Sequence, residues 1–189
     1  VSAVLSALGF KGRVEVIGVD LGTTYSVAAV SEKGRVRVFE DPVRGKLTAS
    51  TVAFLQDGGV LVGNQAKRHA LKDPQNVIYD AKRFIGRKYD DPSVAEQAKK
   101  YAFAVVENTT THDAAFRVHG RTIAPSEVGA EVVKALLKTV NDDLGHENVK
   151  RAVIAVPASF GAAQTAATGE AFKAAGLRVA RVMPEPVAA

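Results

Sequence analysis

The chain has 189 residues, 47% hydrophobic and 24% charged, with a formal net charge of +5. That composition excludes disordered and fibrous classes, and the length buries a substantial core without staples. Cysteine is absent, which removes disulfides, zinc ribbons and thiol nucleophiles together.

Residues 1–13 read as a lead-in. VSAVLSALGF at 1–10 is apolar enough to end a removed signal or anchor, yet it lacks a charged start and a complete apolar region, so a short ordered or frayed segment is expected. No apolar run approaches the ~18 residues that span a bilayer, and no membrane span is expected. From 14 to 38 the pattern is an antiparallel meander. Val16, Gly18 and Asp20 share one face of a period-two strand, Ser26–Val30 continues it, Lys33-Gly34 turns, and 35–39 alternates charged with apolar.

Residues 49–124 read as an inserted α+β subdomain. It holds a strand at 50–55, a turn at Asp57-Gly58-Gly59, a short strand at 60–62 and a basic helical stretch at 64–71. Further helical stretches are expected at 79–84 and 93–102, then strands at 104–107 and 115–118 around a polar loop, and a turn at His119-Gly120. The strongest periodicity follows. Val128, Val132, Leu136, Val140 and Leu144 recur every four residues, widened by Val133 and Leu137, with Pro125 in the first turn and Gly145 at the end. This helix is packing, not chemistry.

AVIAV at 152–156, stopped by Pro157, reads as a strand buried on both faces. An alanine-rich helix at 162–175, closed by Gly176, and a second buried strand at 179–183 complete a βαβ unit with a right-handed crossover. A meander followed by βαβ makes an α/β domain whose mixed sheet is flanked by helices.

The chemistry concentrates in VIGVDLGTTYSV at 16–27. A glycine-containing hairpin tip turns backbone N–H groups outward as an anion-binding nest, and two threonine hydroxyls add donors. An aspartate at the end of the preceding strand repels phosphate unless a divalent cation lies between, so Asp-x-Gly-Thr-Thr suits phosphate with magnesium. The plainer alternative is a turn in which Asp and Gly play their usual parts. Neither G-x-x-x-x-G-K-[ST] nor G-x-G-x-x-G occurs, which disfavours P-loop and Rossmann chemistry. His69, His112, His119 and His146 lack ligand spacing, so no protein-only metal site is expected, and no G-x-S-x-G surrounds Ser159. Lys67-Arg68, Lys82-Arg83, Arg87-Lys88 and Lys99-Lys100 are dispersed pairs without a basic block, which points to a solvated basic face and no nucleic-acid partner.

Four stretches, VIGVDLGTTYS at 16–26, NVIYDAKRFIGR at 76–87, VIAVPA at 153–158 and EPVAA at 185–189, span the chain in one order. In that order they resemble the start of the 70-kDa heat-shock chaperone ATPase domain, within the actin and sugar-kinase superfamily. DPQNVIYDAKRFIGR at 73–87 is similar to the microsome-associated member, which lacks a peptide-binding domain. The resemblance implies an actin-like ATPase (ribonuclease H-like) lobe with a mixed five-stranded-type sheet. Its core subdomain is 14–48 with 125–189, its insertion is 49–124, and a second lobe and any peptide-binding domain lie outside it. It also implies ATP/ADP and Mg as cofactors. Gly22, Thr23, Thr24 and Tyr25 would contact the β- and γ-phosphates, and Asp20 and Glu185 would hold the Mg through water. Lys82 would reach the γ-phosphate and orient the attacking water, in keeping with a reaction governed by positioning and charge neutralisation. Pro157 and Arg83 would couple nucleotide state to the partner domain. Without the resemblance, Lys82 reads as a surface lysine of a basic helix and Glu185 as a strand-exit carboxylate between two prolines.

The chain departs from the family after VPA. Ser159-Phe160-Gly161-Ala162-Ala163-Gln164-Thr165 stands where the family carries Tyr-Phe-Asn-Asp-x-Gln-Arg. Ala162 and Thr165 form no salt bridge, which puts coupling through that linker and J-domain surface in question. Asn-Glu-Pro has become Pro184-Glu185-Pro186, one backbone donor fewer. The expected function is the ATP-binding lobe of a heat-shock-70-type chaperone whose parent hydrolyses Mg-ATP to drive protein folding. The 189 residues are expected to be inactive alone, as a lobe fragment or a naturally short relative. Unfolded clients, a J-domain cochaperone and a nucleotide exchange factor would act through the parent. The alternatives are a non-catalytic interaction module and a sugar or acetate kinase of the same superfamily. The apolar opening favours the endoplasmic reticulum lumen over the cytoplasm.

Overall fold

The computed structural model describes residues 14–32, 34–41 and 45–188. The expected lead-in at 1–13 lies outside them, as does Lys33 of the second turn. The meander forms as its alternation predicts: β1 (Val16–Asp20), β2 (Tyr25–Glu32) and β3 (Arg35–Val38) pair antiparallel, with Asp20 opposite Val27 and Ala29 opposite Val38. A two-residue strand, β4 (Thr48–Ala49), pairs with the start of β2.

The next segment makes two small antiparallel sheets. In the first, β5 (Thr51–Phe54) lies between β6 (Val60–Val62) and β7 (Val77–Tyr79), with helix α1 (Asn64–His69) packed on it. In the second, after helix α2 (Pro92–Ala98), β9 (Ala114–Val118) lies between β8 (Ala104–Glu107) and β10 (Arg121–Ile123). Two expectations are corrected here. Residues 79–84 are not a helical stretch: Val77 and Ile78 are fully buried in β7, Asp80 takes a left-handed conformation at φ 55°, and only a single 3-10 turn, Ala81–Arg83, follows. The helix expected at 93–102 ends at Ala98, and β10 had no counterpart in the sequence reading.

The long helix α3 (Pro125–Leu144) buries the expected stripe of Val128, Val132, Val133, Leu136 and Val140. Pro125 opens it, the Glu127 carboxylate accepts from the Ala124 N–H at 2.7 Å, and Gly145 ends it at φ 69°. Next come β11 (Arg151–Val156), helix α4 (Ala162–Ala174), β12 (Arg178–Pro184) and a short helix α5 (Glu185–Ala188). At the start of α4 the Gln164 carboxamide oxygen accepts from the Gly161 N–H at 3.1 Å, supplying part of the cap that glycine lacks.

In the main sheet β11 pairs in parallel with both β1 and β12, giving the order β12-β11-β1-β2-β3 with β4 alongside β2. It is therefore mixed. One face, with Ile17, Val19, Ala28, Val30, Ala152 and Ile154, joins the side chains of α3 and α4 in the core. Residues of the other face, such as Val153 and Ala155, are only half-buried. The expectation that both βαβ strands are buried on two faces is corrected. β11 alternates, and β12 is an edge strand that leaves Val182 39% exposed, because α3 and α4 both contribute to the core on one side.

Two glycines fix how the elements meet. A Cβ on Gly129 of α3 would lie 3.2 Å from both the Ala171 Cβ of α4 and the Leu21 Cδ2, so its absence lets helix, helix and hairpin close together. Gly86, at φ 63°, lies against the first turn of α4: a Cβ there would stand 2.6 Å from the Gln164 Cα and 2.7 Å from the Ala163 carbonyl oxygen.

Candidate functional site

β1 delivers Asp20 to the carboxyl end of the sheet, where it sits between Val27 of β2 and Ala155 of β11. Parallel strands leave a crevice at their carboxyl ends when the chain departs in different directions from neighbouring strands. Asp20 Oδ1 is buried there without a hydrogen-bond partner. Burial raises the Asp20 pKa; the Lys82 ammonium pulls it back down and the Glu185 carboxylate pushes it up.

The tip after Asp20 is a tight doubling of the chain. A Cβ on Gly22 would lie 2.1 Å from the Tyr25 carbonyl oxygen, so glycine is required by contact here and not by a positive φ. Ser50 holds the tip from below. Its hydroxyl donates to the Gly22 carbonyl at 2.8 Å, which makes Ser26 the donor in the buried 2.8 Å bond between the two serines, and its N–H donates to the Thr24 carbonyl at 2.9 Å. Carbonyls thus turn toward Ser50. The N–H groups of Gly22, Thr23 and Thr24 have no backbone partner among the described residues, the condition for an anion nest. Gly22→Ala is expected to cost about 1–3 kcal/mol in urea unfolding, the range for an overpacked contact, and to abolish nucleotide binding; an alanine variant that binds normally would show that the tip is not the grip.

Lys82 arrives from the 3-10 turn after β7. It is not the surface lysine that its charge alone suggests: the side chain is 8% exposed, its ammonium donates to Glu185 Oε1 at 2.8 Å, and it stands 5.7 Å from the Phe160 ring centroid. Asp20, Lys82 and Glu185 are brought together from three distant parts of the chain. Gly22, Thr23 and Lys82 line one small cavity of about 20 Å³, room for a single water, over an apolar floor that includes Val128 and Gly129. Thr23 and Thr24 also border a wider groove of about 300 Å³ with Lys67, Tyr79 and Asp80. The Tyr25 ring is turned to Lys67, whose ammonium stands 4.7 Å from the ring centroid.

Arg83 pairs with Asp80 at 3.3 Å, and the Pro157 carbonyl accepts from the Phe160 N–H at 3.0 Å; no bond joins Arg83 to Pro157. The histidines are spread out. His112 faces Glu107 at 2.6 Å and His119 Nε2 meets the Phe54 carbonyl at 3.0 Å, and no cluster of three His, Asp or Glu side chains suited to a metal occurs among the described residues.

Ser50 escaped the sequence reading because its role is a tertiary contact with no periodicity. Asp80 was missed as well. Its carboxylate accepts from the Tyr101 hydroxyl at 3.1 Å as well as from Arg83. Burial, with the Asp80 charge beside it, pushes the Tyr101 phenol up to about 12, which keeps the donor proton in place. An aspartate between a strand pattern and a basic turn is the one local signal available, since Asp tolerates the left-handed region.

The α/β domain thus sets a glycine-threonine hairpin, a buried lysine and two carboxylates together at the carboxyl edge of a mixed sheet. A family model described as Hsp70 protein matches residues 16–189, and the chain belongs to the Hsp70 family. Its fold is accordingly that of the actin-like ATPases, and its general function is chaperone-type nucleotide binding.

Proposed function

We propose that the chain is the phosphate-gripping lobe of a chaperone that hydrolyses Mg-ATP, with residues 14–48 and 125–189 as the core of the lobe and 49–124 as its insertion. The observation that carries this is the burial of Lys82 next to Asp20 and Glu185 beneath the open hairpin tip. A buried ammonium costs several kcal/mol unless it is paired, and a site that keeps one beside an orphaned carboxylate oxygen is organised for charge that arrives with a ligand.

The residues fit a hydrated magnesium. Asp20 offers an unpartnered oxygen and Glu185 a half-exposed carboxylate, hard oxygen donors of the kind this ion takes through its waters. When bound, the ion would supply charge neutralisation for the phosphates. The protein's own part is positioning. Gly22, Thr23 and Thr24 present N–H groups and hydroxyls to the β- and γ-phosphates. Lys82 exchanges its Glu185 partner for the γ-phosphate and holds the attacking water in line. Coupling to client binding runs through Pro157 and Arg83, and J-domain and exchange-factor partners act on the same nucleotide cycle.

Asp20→Asn tests the reading. In the folded chain the Asp20 pKa lies above its ordinary 3.8, so the folded state binds the proton more readily than the unfolded state. Stability contributed by this group therefore falls as pH rises from the ordinary carboxylate range through the raised pKa, and stays lower above it. The asparagine variant is expected to unfold at higher urea than the parent at neutral pH. Its calorimetric affinity for Mg-ATP is expected to fall at least tenfold, about 1.4 kcal/mol. Unchanged affinity would remove Asp20 from the site and the proposal with it.

A further inference from the structure

The chain has five asparagines, and only Asn108 is followed two places later by a hydroxyl residue: Asn108-Thr109-Thr110, with no proline between. This is the N-x-[ST] acceptor pattern for N-linked glycans, which requires a surface loop. The structure places it at the start of the connection between β8 and β9, residues 108–113. Thr109, Thr110, Thr111 and His112 are all exposed.

The loop is built so that the reactive nitrogen is free. Asn108 Oδ1 accepts from the Thr110 N–H at 3.0 Å and from the Thr111 N–H at 3.3 Å, while the Asn108 Nδ2 makes no hydrogen bond among the described residues. Donors on the amide oxygen favour the imidic form, in which the nitrogen lone pair is available for attack. The loop's shape does not depend on that nitrogen. The Asn108 N–H donates to the Asp113 carbonyl at 2.9 Å, the His112 N–H to the Asn108 carbonyl at 2.7 Å, and Lys88 ties the far side through Asp113 and the Thr111 carbonyl, each at 2.8 Å. A bulky polar group on Nδ2 leaves all of these bonds in place.

We propose that Asn108 is an N-glycan acceptor, and that this segment therefore faces the lumen of the endoplasmic reticulum, where that transfer takes place. In the transfer, Asn108 Nδ2 forms a bond to the anomeric carbon of an oligosaccharide carried on a lipid diphosphate. The bond from that carbon to the diphosphate breaks, the lipid diphosphate leaves with the electron pair, and the amide proton passes to solvent. The lipid-linked donor lies in the membrane of that compartment, and a membrane-bound oligosaccharyl transferase catalyses the step. The assignment is independent of the nucleotide site, to which this loop contributes no residue. It bears directly on compartment, which the lack of cysteine left open.

The test is peptide-N-glycosidase treatment of the protein from cells that make it, read by gel mobility and by mass spectrometry of the peptide containing Asn108. A single downward step in mobility is expected, with deamidation of Asn108 on release. Asn108→Gln and Thr110→Val are expected to abolish the step, the second without touching the acceptor, while Thr110→Ser keeps it. All three variants are expected to bind Mg-ATP as the parent does, which certifies that they fold. A native protein with Asn108 unmodified, or a mobility step that survives Asn108→Gln, overturns the proposal.

Discussion

In the full-length chaperone of which this chain is one lobe, Lys82→Met is expected to slow single-turnover hydrolysis of Mg-ATP by about 10²–10³-fold, the usual effect of removing one preorganised charge or donor from a transition state. The fold should hardly notice. Breaking a fully buried ion pair costs about 3–5 kcal/mol because the surviving charge is stranded, but Glu185 is 41% exposed and takes up water when Lys82 is gone. Methionine keeps the length of the apolar stem near Phe160. Losing the lysine also removes a charge that pulls the Asp20 pKa down, so the carboxylate becomes easier to protonate. The variant's rate should therefore fall further below the parent's as pH drops. Lys82→Arg should not restore activity, since a planar fork cannot occupy the place of a compact ammonium that is 8% exposed. A methionine variant within a few-fold of the parent rate would assign positioning of the water to another group.

The second large effect is on stability. Gly86→Ala is expected to cost on the order of 2–5 kcal/mol in urea unfolding. About 1–2 of these arise from a Cβ in the left-handed region and about 1–3 from overpacking. The contact is with backbone, the Ala163 carbonyl and the Gln164 N and Cα at 2.6–2.7 Å, and backbone cannot rotate away as a side chain can. Gly169→Ala supplies the contrast. It lies within α4, a Cβ there meets nothing within 4 Å, and it is expected to stabilise by about 0.5–1 kcal/mol. Equal effects at the two glycines would show that the insertion and α4 are not locked at Gly86. Because Gly86 lies four residues after Lys82, its substitution should also weaken nucleotide affinity, whereas Gly169→Ala should leave affinity unchanged.

Much of the fold was legible because its elements carry local signals. The α3 stripe came with Pro125 and Gly145 at its ends, and the meander alternated cleanly. The errors came where tertiary context decides. How deeply residues 152–156 are buried cannot be read from AVIAV, because an apolar strand looks the same whether one face or both are covered. Val77–Tyr79 is too short to show an alternation of its own, its last residue fell in the helical stretch expected at 79–84, and only its pairing with β5 makes it a strand. For the site, the tip and Asp20 were read from the residues themselves, Lys82 and Glu185 only from the resemblance, and the structure gathers them. Their roles in hydrolysis remain part of the proposal. The Ser50 strut and the Asp80–Tyr101 bond are contacts across 28 and 21 residues, and no window of sequence displays them.

The parallel pairing of β1 with β11, in which Val16 meets Arg151, means that the first strand must wait for most of the chain before its second neighbour exists. Local hairpins such as β1 and β2 form early, whereas closing so long a loop is slow and its entropy is repaid only at the end. Asp20 belongs to such a local hairpin, whereas Glu185 follows β12 and reaches the site only through the long-range pairing, so the hairpin is expected to form before the carboxylate arrives. A nascent or partly unfolded copy would hold the hairpin without Glu185 beside it. Nucleotide binding that needs Asp20, Lys82 and Glu185 together is then expected only after β12 has docked on β11.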